Sequence, residues 1–116
     1  MVVDTLLNLL NTLKVDKVLR QGSISSDEKY PELFITFWEN ESYDGNHYDN
    51  NKENGVIYDF DINVYGSDVE KVYQTMEEAI NLLKANNFIV NGKGYDIPSD
   101  EPNFIGRHIN IKYIEY

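Results

Sequence analysis

The stretch 56-VIYDFDINVYGSDVEKVYQTMEEAINLLKA-85 changes from the hydrophobic period of a strand to that of a helix. Residues 56–65 alternate apolar and polar side chains, which predicts a half-buried antiparallel strand. The apolar set, which is predicted to face the core, is Tyr58, Phe60, Ile62 and Val64, and the polar set, which is predicted to face solvent, is Asp59, Asp61 and Asn63.

The turn after this strand contains a helix start signal. Ser67 and Glu70 have the spacing of a capping box, in which Ser67 bonds forward and Glu70 bonds back. The helix is predicted to run to about Ala85 and to end at a left-handed residue, Asn86 or Asn87. Its predicted buried stripe comprises Val69, Val72, Tyr73, Met76, Ile80 and Leu83.

Three elements are predicted upstream of this stretch. Residues 32–39, ELFITFWE, are predicted to form a strand because of their β-branched and aromatic content. Both faces of that strand are apolar, so it is expected to lie inside the sheet or to meet another subunit. Residues 3–14 are predicted to form a helix with a stripe of leucines, and residues 17–20 a brief strand.

Downstream, residues 88–90 are predicted to form a short strand and 91-NGKG-94 a turn. Residues 95–103 contain two prolines and are predicted to form a loop, and residues 108–116 a final strand. The order α-β-β-β-α-β-β predicts one α+β domain over residues 1–116. We expect an antiparallel or mixed sheet of four or five strands, with two helices on one face and a long hairpin loop at residues 40–55.

The composition is that of one folded domain, with 116 residues of which 41% are hydrophobic. The chain contains no cysteine, which excludes disulfides and thiolate chemistry and fits a reducing compartment. Its apolar patch near residues 6–13 is interrupted by asparagines and has no basic flank, so we expect no signal peptide. No stretch approaches the roughly 20 apolar residues of a membrane span, so no membrane partner is expected.

The net charge of −10 argues against a nucleic-acid-binding protein, because contacts with phosphates require lysine and arginine. Nine acidic residues lie between positions 39 and 70, against Lys52 alone. One interpretation is a solvated surface that keeps the protein soluble. The other is a surface that repels DNA, mimics it, or meets a basic partner.

The sequence contains fragments of metal-binding and catalytic motifs but completes none of them. Residues 44–55 have the length of a calcium loop, but Asp49 and Gly55 stand where the motif requires glycine and glutamate. A weakly binding cation site on the surface of residues 44–55 is the alternative that this departure from the motif leaves. Two histidines without cysteine predict no zinc site, and no serine lies in a nucleophile elbow. Asp59 and Asp61 are expected on one strand face about 7 Å apart, as on any exposed strand. We therefore predict no enzyme, no cofactor and no metal.

Residues 40–55, NESYDGNHYDNNKENG, form a long polar segment that is unlike the strands on either side. Loops of this length are usually functional or disordered. Its Tyr43, His47 and Tyr48, with Trp38 just before it, are amphipathic side chains suited to interfaces. The alternative is that some of them fold back over the edge of the sheet.

The order of motifs along the chain resembles that of a known family. These motifs are Tyr30-Pro31, 37-FWEN-40, a polar loop, 60-FDINVYGSD-68, 92-GKGYDIPSDEP-102 and 105-IGRHINIKY-113. Together they resemble the small tail-completion proteins of long-tailed bacteriophages and prophages, which are also called tail terminators or head–tail joining proteins. The resemblance covers residues 28–116 and depends on the order of these segments and on their general residue character.

The resemblance implies an α+β subunit that forms a ring, commonly a hexamer, in the virion tail and in the bacterial host cytoplasm during assembly. The ring would end tail polymerisation and join the tail-tube protein to the head connector, and DNA would pass through its acidic lumen without sticking. It implies partner contacts from residues 40–55 and from residues 95–103. The candidate partner-binding residues are Trp38, Tyr43, His47, Tyr48, Asp49, Tyr95 and Asp100.

Two other classes of protein stay open at this point. An acidic inhibitor or DNA mimic that binds a basic partner would account for the net charge equally well. A small hydrolase or ligand-binding α+β domain would require a deep pocket with convergent polar groups.

Overall fold

The structure is a computed structural model that describes residues 2–20, 31–40 and 56–115. The elements are α1 (Val2–Leu10), β1 (Lys17–Arg20), β2 (Leu33–Glu39), β3 (Val56–Gly66), α2 (Val69–Ala85), β4 (Ile89–Ile97) and β5 (Ile105–Glu115). Their order confirms the predicted α-β-β-β-α-β-β sequence and the α+β class.

The five strands form one sheet in the order β1-β2-β3-β5-β4. β1 pairs with β2 in parallel and every other pair is antiparallel, so the sheet is mixed. β3 and β5 pair over eleven positions at the centre of the sheet. β2 lies between two strands, as its two apolar faces predicted. The connection between β2 and β3, residues 41–55, lies outside the described residues.

The core lies between one face of the sheet and the two helices. Alternate residues of β2, β3 and β5 face the helices, and most of them are fully buried, which confirms the inward set predicted for β3 except that Tyr58 is half-buried. Phe37 and Phe60 meet edge to face with ring centroids 6.5 Å apart. The largest fully buried side chains are Phe37, Phe60, Leu6, Leu10, Ile35, Ile62, Met76, Leu83, Ile109 and Ile111.

α1 ends earlier than predicted, at Leu10 instead of residue 14. The amide N–H of Thr12 and the hydroxyl of Thr12 both donate to the carbonyl of Leu9, and the amide of Leu13 donates to Leu10. These i→i−3 bonds tighten the chain and compete with the helical i→i−4 bonds, which ends the helix. Leu13 nevertheless packs against the core from outside the helix.

The predicted capping box is wrong. The N-cap of α2 is Asp68, whose carboxylate accepts from the amides of Glu70 and Lys71 at 3.0 and 3.4 Å. The Ser67 hydroxyl instead donates to the carboxylate of Glu32. Because aspartate and serine are equally good caps, the serine spacing placed the helix start one residue early.

The predicted stripe of α2 is confirmed for Val72, Met76 and Leu83, which are buried. It is wrong for Val69 and Tyr73, which are 47% and 42% exposed because they lie on the outer flank of the helix. Thr75 and Ala79 complete the buried face. At the other end, the positive φ of 71° at Asn87 confirms the left-handed stop.

β4 is one strand where the sequence predicted a short strand, a turn and a loop. Asn91 pairs with Asn110 and Tyr95 pairs with His108. The chain therefore advances four residues along β4 while it advances only two along β5. The Asn-Gly-Lys-Gly segment therefore forms an irregularity within the strand, since Gly92 and Gly94 adopt φ of 70° and 88°. β5 accordingly begins at Ile105, and the predicted loop at residues 95–103 is replaced by the end of β4 and a connection at 98–104.

Candidate interaction surface at the β4 edge

The sheet leaves β4 as an edge strand, and the exposed large hydrophobic side chains belong to this strand and to α2. Four such side chains occur in the described part of the chain: Val69, Tyr73, Ile89 and Tyr95, at 42–60% exposure. Two belong to the outer flank of α2 and two to β4. We call these four residues and the cleft described next the β4-edge surface. Ile89 and Tyr95 share the sheet face of Lys112 and His108, whereas Val69 and Tyr73 lie on the helix side, so exposed apolar side chains are found on both sides of this edge. Exposed apolar side chains at a sheet edge are typical of an interaction site.

A cleft of about 450 Å³ lies between α2 and the irregular part of β4. Its apolar lining includes Met76 and Ile80, and its cations are Lys84, Lys93 and Arg107. The cations come from α2, β4 and β5 respectively, and Glu77 is the one acid in the lining. Three of the chain's ten basic residues therefore meet at one place on a protein of net charge −10.

One wall of the cleft is held together by Tyr73, Asp96 and Arg107. The guanidinium of Arg107 pairs with Asp96 at 2.9 Å and lies 5.0 Å from the centre of the Tyr73 ring. The Tyr73 hydroxyl donates to both carboxylate oxygens of Asp96, at 3.0 and 2.9 Å. Arg107 also donates to the carbonyls of Lys93 and Gly94, at 3.3 and 3.1 Å. The cluster thus fastens α2 to the irregular part of β4.

These contacts shift two pKa values in opposite directions. The hydrogen bond from Tyr73, followed by the hydrogen bond from Arg107, holds the pKa of Asp96 below its ordinary value. The pKa of Tyr73 is raised, chiefly because Asp96 accepts its hydroxyl proton, with desolvation as the second cause. Both groups are on the surface, so their contribution to folding stability is small.

The pH dependence of this cluster follows from the signs of those shifts. A lowered pKa at Asp96 stabilises the folded chain above about pH 4, and this stabilisation is lost as the pH falls through the folded-state pKa. A raised pKa at Tyr73 stabilises the folded chain below about pH 10, and this stabilisation is lost as the pH rises through the folded-state pKa. We expect Asp96→Asn to lower the urea midpoint at neutral pH, with the difference from the parent chain shrinking below pH 4.

The matched control for that measurement is Asp100→Asn. Asp100 is an exposed aspartate in the connection after β4. Its replacement should move the urea midpoint little at either pH. A neutral-pH difference for Asp96→Asn that persists undiminished in acid would contradict the role of its ionised form.

The face of the sheet opposite the helices carries a polar network centred on Asp59 and Asp61. The amide of Asn110 donates to Asp59 at 2.6 Å, and that of Asn40 donates to both carboxylates at 2.9 Å. Lys112 lies 3.6 Å from Asp59. The two carboxylates share one strand face, as predicted, but they act as acceptors that tie β3 to its neighbours. These amides cover Asp59, whose side chain is only 17% exposed, so the prediction of a solvated face is corrected.

His108 extends this network toward the β4 edge. Its Nδ1 lies 2.7 Å from the side-chain oxygen of Asn63, and its Nε2 lies 3.4 Å from Asp61. Tyr95 covers the imidazole with ring centroids 4.9 Å apart. Asn63 is 8% exposed, which also departs from its predicted solvent position. The imidazole is therefore packed within the sheet surface.

The described candidate residues lie far apart. Trp38 is half-buried near the end of β2, whereas Tyr95 lies three strands away on β4, and Asp100 is exposed in the connection that follows. Tyr95 belongs to the β4-edge surface. The remaining candidates, Tyr43, His47, Tyr48 and Asp49, lie outside the described residues, as does the possible cation site at residues 44–55.

Sequence reasoning missed most of the β4-edge surface. Val69 and Tyr73 were assigned to the core, and the cleft cations are separated by up to 23 positions in the sequence. The sequence signal available was the pair of glycines around Lys93, which indicated a backbone irregularity but not its place at the sheet edge.

Within residues 2–20, 31–40 and 56–115, no group of three or more histidine or carboxylate side chains is arranged to hold a metal ion. In the same ranges, no helix has both the length and the apolar character that a membrane crossing requires.

A scan of the sequence against protein-family models gives no match, and a search of the curated proteins gives no significant match. The resemblance to tail-completion proteins therefore stays a prediction.

Proposed function

We propose that the chain is a structural subunit that associates with copies of itself into a ring, as the tail-completion proteins of long-tailed phages do. In this proposal the ring ends the tail tube, contacts the tail-tube and head-connector proteins, and carries out no catalysis. Its acidic surface would let DNA pass without binding, because like charges repel phosphate.

The observation that supports this proposal best is the position of the exposed apolar side chains. All four that the described residues leave exposed lie on β4 or on the flank of α2, and one of them, Tyr73, lines the basic cleft on a chain of net charge −10. Apolar residues gathered at one edge suit a subunit that covers this edge by association.

The rival proposal of a DNA mimic receives less support from the described residues. A mimic requires carboxylates in an exposed row with the spacing of phosphates. Asp59 and Asp61, the pair that could begin such a row, instead accept hydrogen bonds from Asn40 and Asn110 within the sheet surface.

The test is the mass of the purified chain in solution, measured by light scattering and by native mass spectrometry. We expect a species larger than the monomer at high concentration, and association with tail-tube protein. The double variant Ile89→Asn/Tyr95→Asn should weaken self-association by about tenfold or more, since each anchor contributes about 1 kcal/mol or more.

Arg20→Asn is the matched control, because Arg20 is exposed on the opposite edge strand, β1. It should leave the self-association unchanged. A strict monomer at high concentration that also fails to bind tail-tube protein would overturn the proposal.

A further inference from the structure

A second cleft, of about 640 Å³, lies on the other flank of α2. Four carboxylates line it, from Asp16, Glu32, Asp68 and Glu78, together with Lys14 and Lys71. Its net charge is therefore −2. We call it the acidic cleft and the cleft at the β4 edge the basic cleft.

The two clefts lie on opposite flanks of α2. Tyr73, Ile80 and Lys84 line the basic cleft, whereas Lys71, Gln74 and Glu78 line the acidic cleft. Successive helical residues are rotated by about 100°, so the centres of these two sets lie about 130° apart around the helix axis.

The strands and loops beside the two clefts separate them further. The basic cleft is bordered by β4 and β5, whereas the acidic cleft is bordered by the residues before β1 and by the start of β2. One subunit thus presents surfaces of opposite charge toward opposite edges of its sheet.

We infer that copies of the chain associate head to tail, with the basic cleft of one copy docked against the acidic cleft of the next. This inference rests on the proposed function and specifies the contact on which a ring would depend. Two basic clefts facing each other would repel, which disfavours a two-fold symmetric contact between them. A contact between two different surfaces repeats from copy to copy and closes into a ring when its rotation allows.

The charges available for such a contact differ between the clefts. Lys84 and Lys93 form no ion pair among the described residues, whereas Arg107 is paired with Asp96. In the acidic cleft Asp16, Glu32 and Asp68 have local roles, since they accept hydrogen bonds from Leu33, Ser67 and the start of α2 respectively. From the part of the chain that the structure describes, Glu78 accepts one long bond of 3.4 Å, from Gln74. Lys84, Lys93 and Glu78 are therefore the side chains to reverse.

The experiment uses two charge-reversal variants of the full chain. Lys84→Glu/Lys93→Glu makes the basic cleft acidic, and Gln74→Lys/Glu78→Lys makes the acidic cleft basic. Each variant alone should associate at least about tenfold more weakly than the parent chain, since like charges then face each other at the contact. Circular dichroism and the thermal midpoint should show that both variants remain folded.

Mixing the two variants is the decisive measurement. In the mixture every contact again joins opposite charges, so the large species should return and contain both variants. The association of the parent chain should also weaken between low salt and about 0.5 M salt, because salt screens exposed charges. Arg20→Glu, which changes the net charge by the same two units as each single lysine reversal, should associate normally.

The outcomes separate this inference from the proposed function. A parent chain that stays monomeric overturns both. A parent chain that assembles, with reversal variants that assemble equally well, overturns the head-to-tail contact alone. Variants that fail alone and are not restored by mixing also overturn it, because complementary charges would then not define the contact.

Discussion

Phe60→Ala is expected to lower the free energy of unfolding by about 3–5 kcal/mol. Phe60 is fully buried on β3, the central strand of the sheet, and its ring meets Phe37 on β2. Truncation removes apolar contacts in the core between the sheet and the helices, and it leaves a cavity. The cavity persists because the neighbouring strands cannot collapse into it without breaking their pairing. Urea denaturation followed by circular dichroism measures the change.

A loss of this size is a large part of the total stability of a domain, about 5–15 kcal/mol, so a second variant is needed in case the alanine variant does not fold. Phe60→Leu then serves in its place, with a smaller loss that is still well above 1 kcal/mol. Tyr95→Ala is the control, since it also removes an aromatic ring from a strand but at a position that is 60% exposed. It should reduce stability by less than about 1 kcal/mol. Equal losses at positions 60 and 95 would contradict the assignment of the core.

The sequence predicts the centre of the fold well because the relevant patterns are local. Residues 58–64 alternate strictly, so the face that contains Phe60 and Ile62 follows from the period of a strand alone. The step from β3 to α2 follows from the change at residues 66–69 from the hydrophobic period of a strand to that of a helix. Strand order could not be deduced in this way, since it depends on which strands pair over long distances in the chain.

The errors occurred where one local pattern has two structural outcomes. Asn-Gly-Lys-Gly suits a hairpin turn, but it also suits an irregularity within an edge strand, and pairing with β5 selects the second. Ser67 and Asp68 are both good helix caps, but the hydroxyl of Ser67 donates a hydrogen bond to the carboxylate of Glu32 instead of to the helix start. Tertiary contacts decide both cases.

The β4-edge surface could not be predicted for the same reason. A tyrosine at a helical stripe position is normally assigned to the core, but Tyr73 lies on the charged side chains of Arg107 and Asp96 and is 42% exposed. Lys84, Lys93 and Arg107 come together because three elements meet at the irregular part of β4. The proposed assembly therefore depends on a backbone feature more than on any single side chain.

That dependence makes Gly94 the position with the second largest expected effect. A side chain on Gly94 would place its Cβ 2.5 Å from the carbonyl oxygen of His108, at a φ of 88° that other residues rarely adopt. The obstructing atom belongs to the backbone of β5, so it can move only if β4 and β5 separate locally. We expect Gly94→Ala to lower the free energy of unfolding by about 3 kcal/mol, which is large for a single substitution on an edge strand.

Gly92→Ala is a closely matched control. Gly92 has a similar φ of 70°, but a Cβ there would meet no atom within 4 Å. It should therefore show only the left-handed backbone penalty, about 1–2 kcal/mol. Hydrogen exchange should show lost protection at Tyr95 and His108 in Gly94→Ala and retained protection in Gly92→Ala. Because Lys93 lies between the two glycines, Gly94→Ala should also weaken self-association more than Gly92→Ala does. If the two variants lose equal stability and equal association, Gly94 does not approach the backbone of β5 as described, and the basic cleft lacks the backbone on which it is built.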